Sequence, residues 1–397
     1  MAHQRHSVSR GMLFPVMSDS VCIDRLFTEE YKVFASTWNM GGIPPPEDLN
    51  LEEWLDTGDG SYDIYVLGFQ EIVPLSAGNV LRTENPSICT KWHRLIRSAL
   101  NEKASASGAP LLPQEQQQQK QRIYPVGREK AAGEFQCIAS KQMVGIMISV
   151  WARRTLLKFI HHPSVSCVGC GLMGCLGNKG SVSVRFLLHG TSFCFVCCHL
   201  ASGGKEGDEI LRNRGVSQIM LKTKFPAGPS MDLPTSILSH DRVIWLGDLN
   251  YRISLPELET RSLVERHEWR SLHENDQLRV ELSEGGVFHG WHEGTIEFAP
   301  TYKYSHGSDE YYGSDNGGNR KKKRAPAWCD RILWHGKAIK QNLYERGEMR
   351  HSDHRPVRAT FTIRTDVTNS TKASKNLIFS SARCETRENW SVVGNGN

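Results

Sequence analysis

Apolar residues are gathered into short runs of strand length, and most of these runs stop at a polar residue with chemistry to offer. Residues 32–39 predict a first strand that ends on Asn39 and opens into Gly41, Gly42 and a proline run. Residues 63–69 predict a second strand, which delivers Gln70 and Glu71. Trp92, Leu95, Ile96 and Leu100 recur at helical spacing and predict a helix over about 91–100. Further strands, rich in Val, Ile, Phe and Cys, are predicted at about 143–152, 180–188 and 192–200. The polar segment 208–224 reads as a helix, and 243–246 as a strand running into Gly247, Asp248, Leu249 and Asn250. Helical segments are expected over about 255–283, with another short strand at 332–334.

These elements place one folded region over residues 30–363, between a weakly patterned leader at 1–29 and a polar tail at 364–397. Within it, residues 101–122 include four consecutive glutamines and read as a surface insertion without fixed structure. No internal repeat is evident. Strands alternate irregularly with helices, and several neighbours are close enough to pair antiparallel. The pattern favours a layered α/β fold over a doubly wound parallel sheet.

Composition changes this picture little. Of 397 residues, 39% are hydrophobic and 23% charged, as in an ordinary globular protein. The net charge of +5 suits an anionic ligand, although a solvated basic surface gives the same total. Residues 1–14 lack the apolar stretch of a secretory leader, and the longest apolar run, 143–152, is about half of what a membrane span needs. The expected location is therefore cytoplasmic, with peripheral membrane contact left open. Eleven cysteines, an odd number, read as reduced core residues. Cys167, Cys170 and Cys175 do not repeat as paired C-x-x-C units, which argues against zinc.

The strand ends matter more. Asn39, Glu71, His199, Asp248, Asn250, Asp353 and His354 each lie at the end of an apolar strand or just past it. One such residue is usually a turn or a cap; seven imply strand ends gathered at one place. Carboxylate and amide oxygens suit hard Mg²⁺, histidines can donate to phosphoryl oxygens, and an aspartate can orient water. The set fits metal-assisted hydrolysis of a phosphate ester. No G-x-x-x-x-G-K-[ST] loop and no H-C-x-x-x-x-x-R loop is present, which disfavours nucleotide-driven transfer and a cysteine nucleophile.

Longer matches then become specific. Gly247-Asp248-Leu249-Asn250-Tyr251-Arg252, preceded by Trp245-Leu246, resembles one signature of the inositol polyphosphate 5-phosphatases. Pro326-Ala327-Trp328-Cys329-Asp330-Arg331-Ile332-Leu333 resembles the other. Trp38-Asn39-Met40-Gly41, Phe69-Gln70-Glu71, Gly177-Asn178-Lys179-Gly180 and Ser352-Asp353-His354-Arg355-Pro356-Val357 are similar too, in the same order. The resemblance spans about residues 30–363. It implies the deoxyribonuclease-like fold of the magnesium-dependent endonuclease/exonuclease/phosphatase superfamily: two packed, mainly antiparallel β-sheets flanked by helices.

The resemblance also implies roles. Glu71 becomes the main Mg²⁺ ligand, with Asn39 beside it. His199 and Asn250 hold the scissile phosphate, Asp248 positions and activates water, and His354 contacts the same phosphate, oriented by Asp330. Asp353 supports the metal side. Tyr302 and Lys303 match a segment that reads the neighbouring 4-phosphate, Lys322 and Arg324 occupy matching basic positions, and Asn178, Lys179 and Arg331 join the substrate residues. The implied substrates are inositol polyphosphates or phosphoinositides, with no nucleic-acid partner. Leu172, Met173 and Leu176 lie in a loop that either dips into a bilayer or packs under the site. Two other readings stand beside this one: a nuclease or sphingomyelinase of the same superfamily, and an inactive phosphoinositide-binding scaffold. Neither is favoured, because both long signatures are present and every expected catalytic position is filled.

Overall fold

Every residue of the strand Ile64–Gln70 is buried, which requires a sheet covered on both faces. Its side chains alternate between two cores: Ile64 and Val66 join one, and Tyr65, Leu67 and Phe69 the other. The computed structural model describes residues 27–58, 62–80, 84–105, 133–171, 176–228, 232–313 and 324–367. Thr28–Asp366 form one unit, and the remainder lies almost wholly outside the described residues. Strands β1 to β6 are Phe27–Asn39, Ile64–Gln70, Phe135–Met143, Ile146–Arg153, Ile160–Gly169 and Gly180–Leu188. Strands β7 to β12 are Thr191–His199, Arg242–Asp248, His292–Glu293, Asp330–Gly336, Ile339–Arg346 and Val357–Val367.

They form two six-stranded sheets, ordered β11-β12-β1-β2-β4-β3 and β5-β6-β7-β8-β10-β9. The inner faces meet in one apolar layer that includes Val33, Ile64 and Ile148 from the first sheet and Phe195, Ile244 and Ile332 from the second. Gly68 lets the sheets approach here, since a Cβ at that position would lie 2.5 Å from Leu246 Cδ1 and 2.9 Å from Cys197 Sγ. The helix Pro86–Ser105 packs Trp92 and Ile96 against Trp38 and Trp151 on the outer face of the first sheet. The helix Asp208–Lys222 packs Val216 and Ile219 against Val196 and Trp245 on the outer face of the second. Helix, sheet, sheet and helix make the four-layer sandwich that the sequence led us to expect.

Both sheets are mixed. β1 pairs with β2 and β7 with β8 in parallel, among otherwise antiparallel registered neighbours. In each sheet the carboxyl ends of two adjacent strands therefore point the same way.

Several boundaries differ from expectation. β1 begins at Phe27, ahead of the expected leader boundary, and β12 continues to Val367, four residues into the expected tail. The long helix runs to Ser105, into the expected insertion, whose remainder lies outside the described residues. The segment 255–283 breaks into three short helices, Glu257–Glu265, Trp269–Glu274 and Gln277–Leu282. Among the described residues, no helix is long and apolar enough to cross a membrane.

Candidate active site

The inner-face alternation of each sheet carries straight into the polar cluster. Val33 and Ala35 of β1, Phe195 and Cys197 of β7, and Ile244 and Leu246 of β8 all face the inter-sheet core. Counting on by twos reaches Asn39, His199 and Asp248. Asp330 has the same parity as Ile332 on β10, and it pairs in register with Asp248, as Asp248 does with His199. The last polar layer at one end of the sandwich is thus the continuation of its hydrophobic centre. Gln70 separates the two, donating to Thr37 Oγ1 at 3.0 Å and to Cys197 Sγ at 3.3 Å.

Asp248 is the hub. Its Oδ2 accepts from Asn39 Nδ2 at 2.8 Å and lies 3.2 Å from His199 Nε2, and its Oδ1 accepts from the Asn250 amide at 3.0 Å. Lys179 Nζ reaches His199 Nε2. Burial pushes the Asp248 carboxyl up, but His199, His354 and Lys179 outweigh it and hold the group well below the usual carboxylate range. Burial lowers Lys179 despite the nearby Asp248 and Glu71, and burial followed by the Lys179 charge lowers His199.

Opposite Asp248 stands a second pair. Asp330 Oδ2 accepts from His354 Nδ1 at 2.8 Å and from Thr301 Oγ1 at 2.7 Å. Burial favours neutral His354, yet Asp330 and then Asp248 raise it to about 9. Burial also raises Asp330, with Asp248 adding to this and His354 and Thr301 opposing it. Both shifts mean that the pair keeps a proton well above neutral pH. Ser352 Oγ donates to the Asn39 carbonyl at 2.6 Å and accepts from the His354 amide at 3.2 Å, which ties this loop to the end of β1. Ser352 opens one of the matched segments and Thr301 adjoins Tyr302, but neither hydroxyl carries an expected role.

The oxygen donors here fit a metal ion. Glu71 follows β2 in a left-handed conformation (φ 49°), half-exposed, and its carboxylate meets only the His199 ring, at 3.7 Å, among the described residues. Asn39 Oδ1 accepts from the Gly41 amide at 2.9 Å, and the buried Asp330 Oδ1 has no partner among the described residues. A carboxylate free of donors beside further hard oxygens is what a small divalent cation needs. Asp248, Asp330 and His354 also bring ligand atoms within 4.8 Å of one another. That trio is the weaker cradle, because His354 Nδ1 and Asp330 Oδ2 are already spent on each other.

The expected substrate residues divide. Tyr302 packs on His354, ring centroids 4.6 Å apart, and Lys303 Nζ pairs with Asp353. Asp353 is held below the usual range, burial opposing but His354 and Lys303 prevailing. Gly41 passes close by, since a Cβ there would lie 2.8 Å from Asp353 Oδ1. Asn250 is also left-handed (φ 57°), its Nδ2 donating to the Leu200 carbonyl at 3.3 Å. Asn178 Oδ1 is buried and meets no donor among the described residues. Arg324 is exposed, while Lys322, Leu172 and Met173 lie outside the described residues. Leu176 is half-buried, its carbonyl accepting from the Gly171 amide at 2.8 Å.

Arg331 is corrected. Its side chain is fully buried, bonded to Asp276 at 2.9 Å and to both Glu293 oxygens at 2.6 Å. Neighbours on a strand face opposite ways, so Arg331 shares the outer side with Leu333 while Asp330 faces the site. It braces β10 from behind, facing away from Asp330 and the strand-end cluster.

Residues 36–360 match endonuclease/exonuclease/phosphatase family 2. The type IV inositol polyphosphate 5-phosphatase 9 of Arabidopsis thaliana is 56% identical, over 88% of this chain and 82% of that one. The type I inositol polyphosphate 5-phosphatase 4 of the same plant is 42% identical, over 91% and 82%. Among solved structures, the inositol polyphosphate 5-phosphatase domain of SPsynaptojanin, in complex with inositol (1,4)-bisphosphate and a calcium ion, superposes with a TM-score of 0.69. It is 30% identical and covers 89% of each chain.

Proposed function

Since the chain belongs to the inositol polyphosphate 5-phosphatases, a metal-dependent family of phosphoric monoester hydrolases, we propose that the strand-end cluster removes the 5-phosphate with Mg²⁺ as its metal. The substrates we assign are phosphatidylinositol 4,5-bisphosphate and inositol 1,4,5-trisphosphate. The carrying observation is the convergence of Glu71, Asn39, His199 and Asp248 with the Asp330–His354 pair at one end of the sandwich.

In this reading Glu71 is the main ligand of Mg²⁺, with Asn39 beside it and Asp353 supporting that side. The bound ion would offset charge on the phosphoryl oxygens and on the departing inositol oxygen. Asp248, so far below the usual carboxylate range, is a weak base. It acts first as an acceptor that aims the attacking water, and it takes the proton only as the water gives it up. The water oxygen bonds to phosphorus as the bond from phosphorus to the inositol 5-oxygen breaks, and the departing oxygen takes a proton from solvent to leave as the inositol hydroxyl. His199 and Asn250 hold the phosphoryl oxygens. His354, protonated to about pH 9, donates to the same group, with Asp330 fixing its ring. Tyr302 and Lys303 read the 4-phosphate, and Lys322 and Arg324 add positive charge. Asn178 joins the substrate residues, its buried Oδ1 meeting no donor among the described residues. Lys179, which points at His199, acts on the scissile phosphate itself.

The test is phosphate release from inositol 1,4,5-trisphosphate and from vesicles of phosphatidylinositol 4,5-bisphosphate, each with Mg²⁺ and with chelator. Release that depends on Mg²⁺ is expected, with plasmid DNA left uncut. Faster release from vesicles would favour membrane contact through the loop of Leu172, Met173 and Leu176. Headgroup binding without release would replace this reading with the inactive scaffold.

A further inference from the structure

The Asn250 carboxamide is held from both ends. Its Nδ2 spends one hydrogen on the Leu200 carbonyl at 3.3 Å, and its Oδ1 accepts from an Arg252 guanidinium nitrogen at 2.5 Å. Arg252 Nε donates to the Asn250 carbonyl at 3.0 Å, so one planar group grips both the side chain and the backbone of the same residue. Asn250 sits at φ 57°, where an ordinary residue needs such support. The guanidinium is itself fixed: its carbon lies 4.7 Å from the Tyr302 ring centroid, and its own backbone amide donates to Gln277 Oε1 at 2.9 Å. Tyr302 in turn packs on His354.

We infer that Arg252 is a positioning residue: it fixes which end of the Asn250 amide meets the phosphate. The physical reason is donor counting. An amide turned over would present NH₂ to a guanidinium, donor against donor, and would aim its oxygen at an anionic phosphoryl group. With Oδ1 occupied by Arg252, only the second hydrogen of Nδ2 is left to serve the substrate. With Nε and one terminal nitrogen committed to Asn250 and one face against Tyr302, the guanidinium acts through Asn250 in this inference.

The inference rests on the reaction proposed above, and the experiment separates the two. The full-length chain is compared with Arg252→Met, Arg252→Lys, Asn250→Ala and the Asn250→Ala/Arg252→Met double variant on inositol 1,4,5-trisphosphate with Mg²⁺. For Arg252→Met, kcat should fall on the order of 10- to 100-fold while KM stays within about threefold. Arg252→Lys should recover part of that loss, since an ammonium can still donate to Oδ1 but not grip both acceptors. In the Asn250→Ala background, removing Arg252 should cost less than about threefold. Losses that multiply, or a KM that rises with kcat intact, would overturn the inference in favour of independent or direct substrate contact. A crystal structure of Arg252→Met gives a readout that needs no turnover: the Asn250 carboxamide should turn or split while Lys179 and His199 stay put. An Asn250 unmoved there would sink the inference even if the wild type hydrolyses every substrate. A wild type without phosphatase activity would instead sink the proposed reaction, leaving the amide orientation to decide the inference.

Discussion

Asp330 and His354, 24 residues apart, meet at 2.8 Å through Oδ2 and Nδ1, and this contact sets the protonation state of the site. Burial alone would leave His354 neutral; Asp330 reverses that and raises the imidazole to about 9. A folded-state value above the ordinary 6.5 has a definite sign. The stability it contributes is fully present below pH 6.5 and is lost as pH rises through 9. The charge that faces the phosphate disappears over the same upper range.

The activity profile at saturating Mg²⁺ should therefore have an alkaline limb near pH 9. Asp330→Asn removes the main opposing charge, so burial wins and the limb should move down toward neutral pH. A kcat/KM profile against pH for both proteins checks this. An unmoved limb would assign the titration to another group.

Arg331 makes the contrasting case, one position along the same strand. Its two carboxylate partners are as buried as it is, so Arg331→Leu leaves Asp276 and Glu293 without a counter-charge. Breaking a buried pair from one side costs about 3–5 kcal/mol. Denaturant unfolding should show a loss of that order, while KM for inositol 1,4,5-trisphosphate changes little in whatever protein stays folded. A large KM effect with normal stability would restore Arg331 to the substrate residues.

That contrast also shows how much was legible from sequence. The polar strand ends were visible because Asn39, His199 and Asp248 interrupt apolar runs, and the structure gathers them because both parallel pairs end at the same side. Period-two alternation also separates Asp330 from Arg331, but the matching signature drew both into the site. Strands β5 and β11 went unseen because they are sheet edges with many exposed positions, so burial writes no apolar run into them; the edge strand β3 and the inner strand β12 went unseen too, because polar residues interrupt their apolar positions. Thr301 and Ser352 contribute hydroxyls whose meaning depends on contacts to residues far along the chain. No local pattern encodes those.

Removal of the metal ligand should be distinguishable from removal of the water-orienting group. Glu71→Gln keeps the shape but weakens a hard anionic donor, so the Mg²⁺ concentration for half-maximal activity should rise about tenfold or more. Excess Mg²⁺ should recover much of the rate. Asp248→Ala should abolish turnover, leave binding of inositol 1,4,5-trisphosphate largely intact and resist rescue by added metal. Titrations of both variants against Mg²⁺ decide the assignment, and equal rescue of both would merge the two roles.

Lys303 offers the sharpest test of specificity, because its ammonium pairs with Asp353, next to His354. A 4-phosphate would have to draw that ammonium from Asp353 or share it. Either way, Lys303 contributes a charge-assisted hydrogen bond worth about 1.5–3 kcal/mol, or on the order of a 10- to 100-fold effect. For Lys303→Ala, kcat/KM on inositol 1,4,5-trisphosphate should fall by that factor. On inositol 1,5-bisphosphate, which lacks the 4-phosphate, it should fall far less. Parallel losses on both substrates would mean that Lys303 serves Asp353 and the reacting phosphate, with the 4-phosphate read elsewhere.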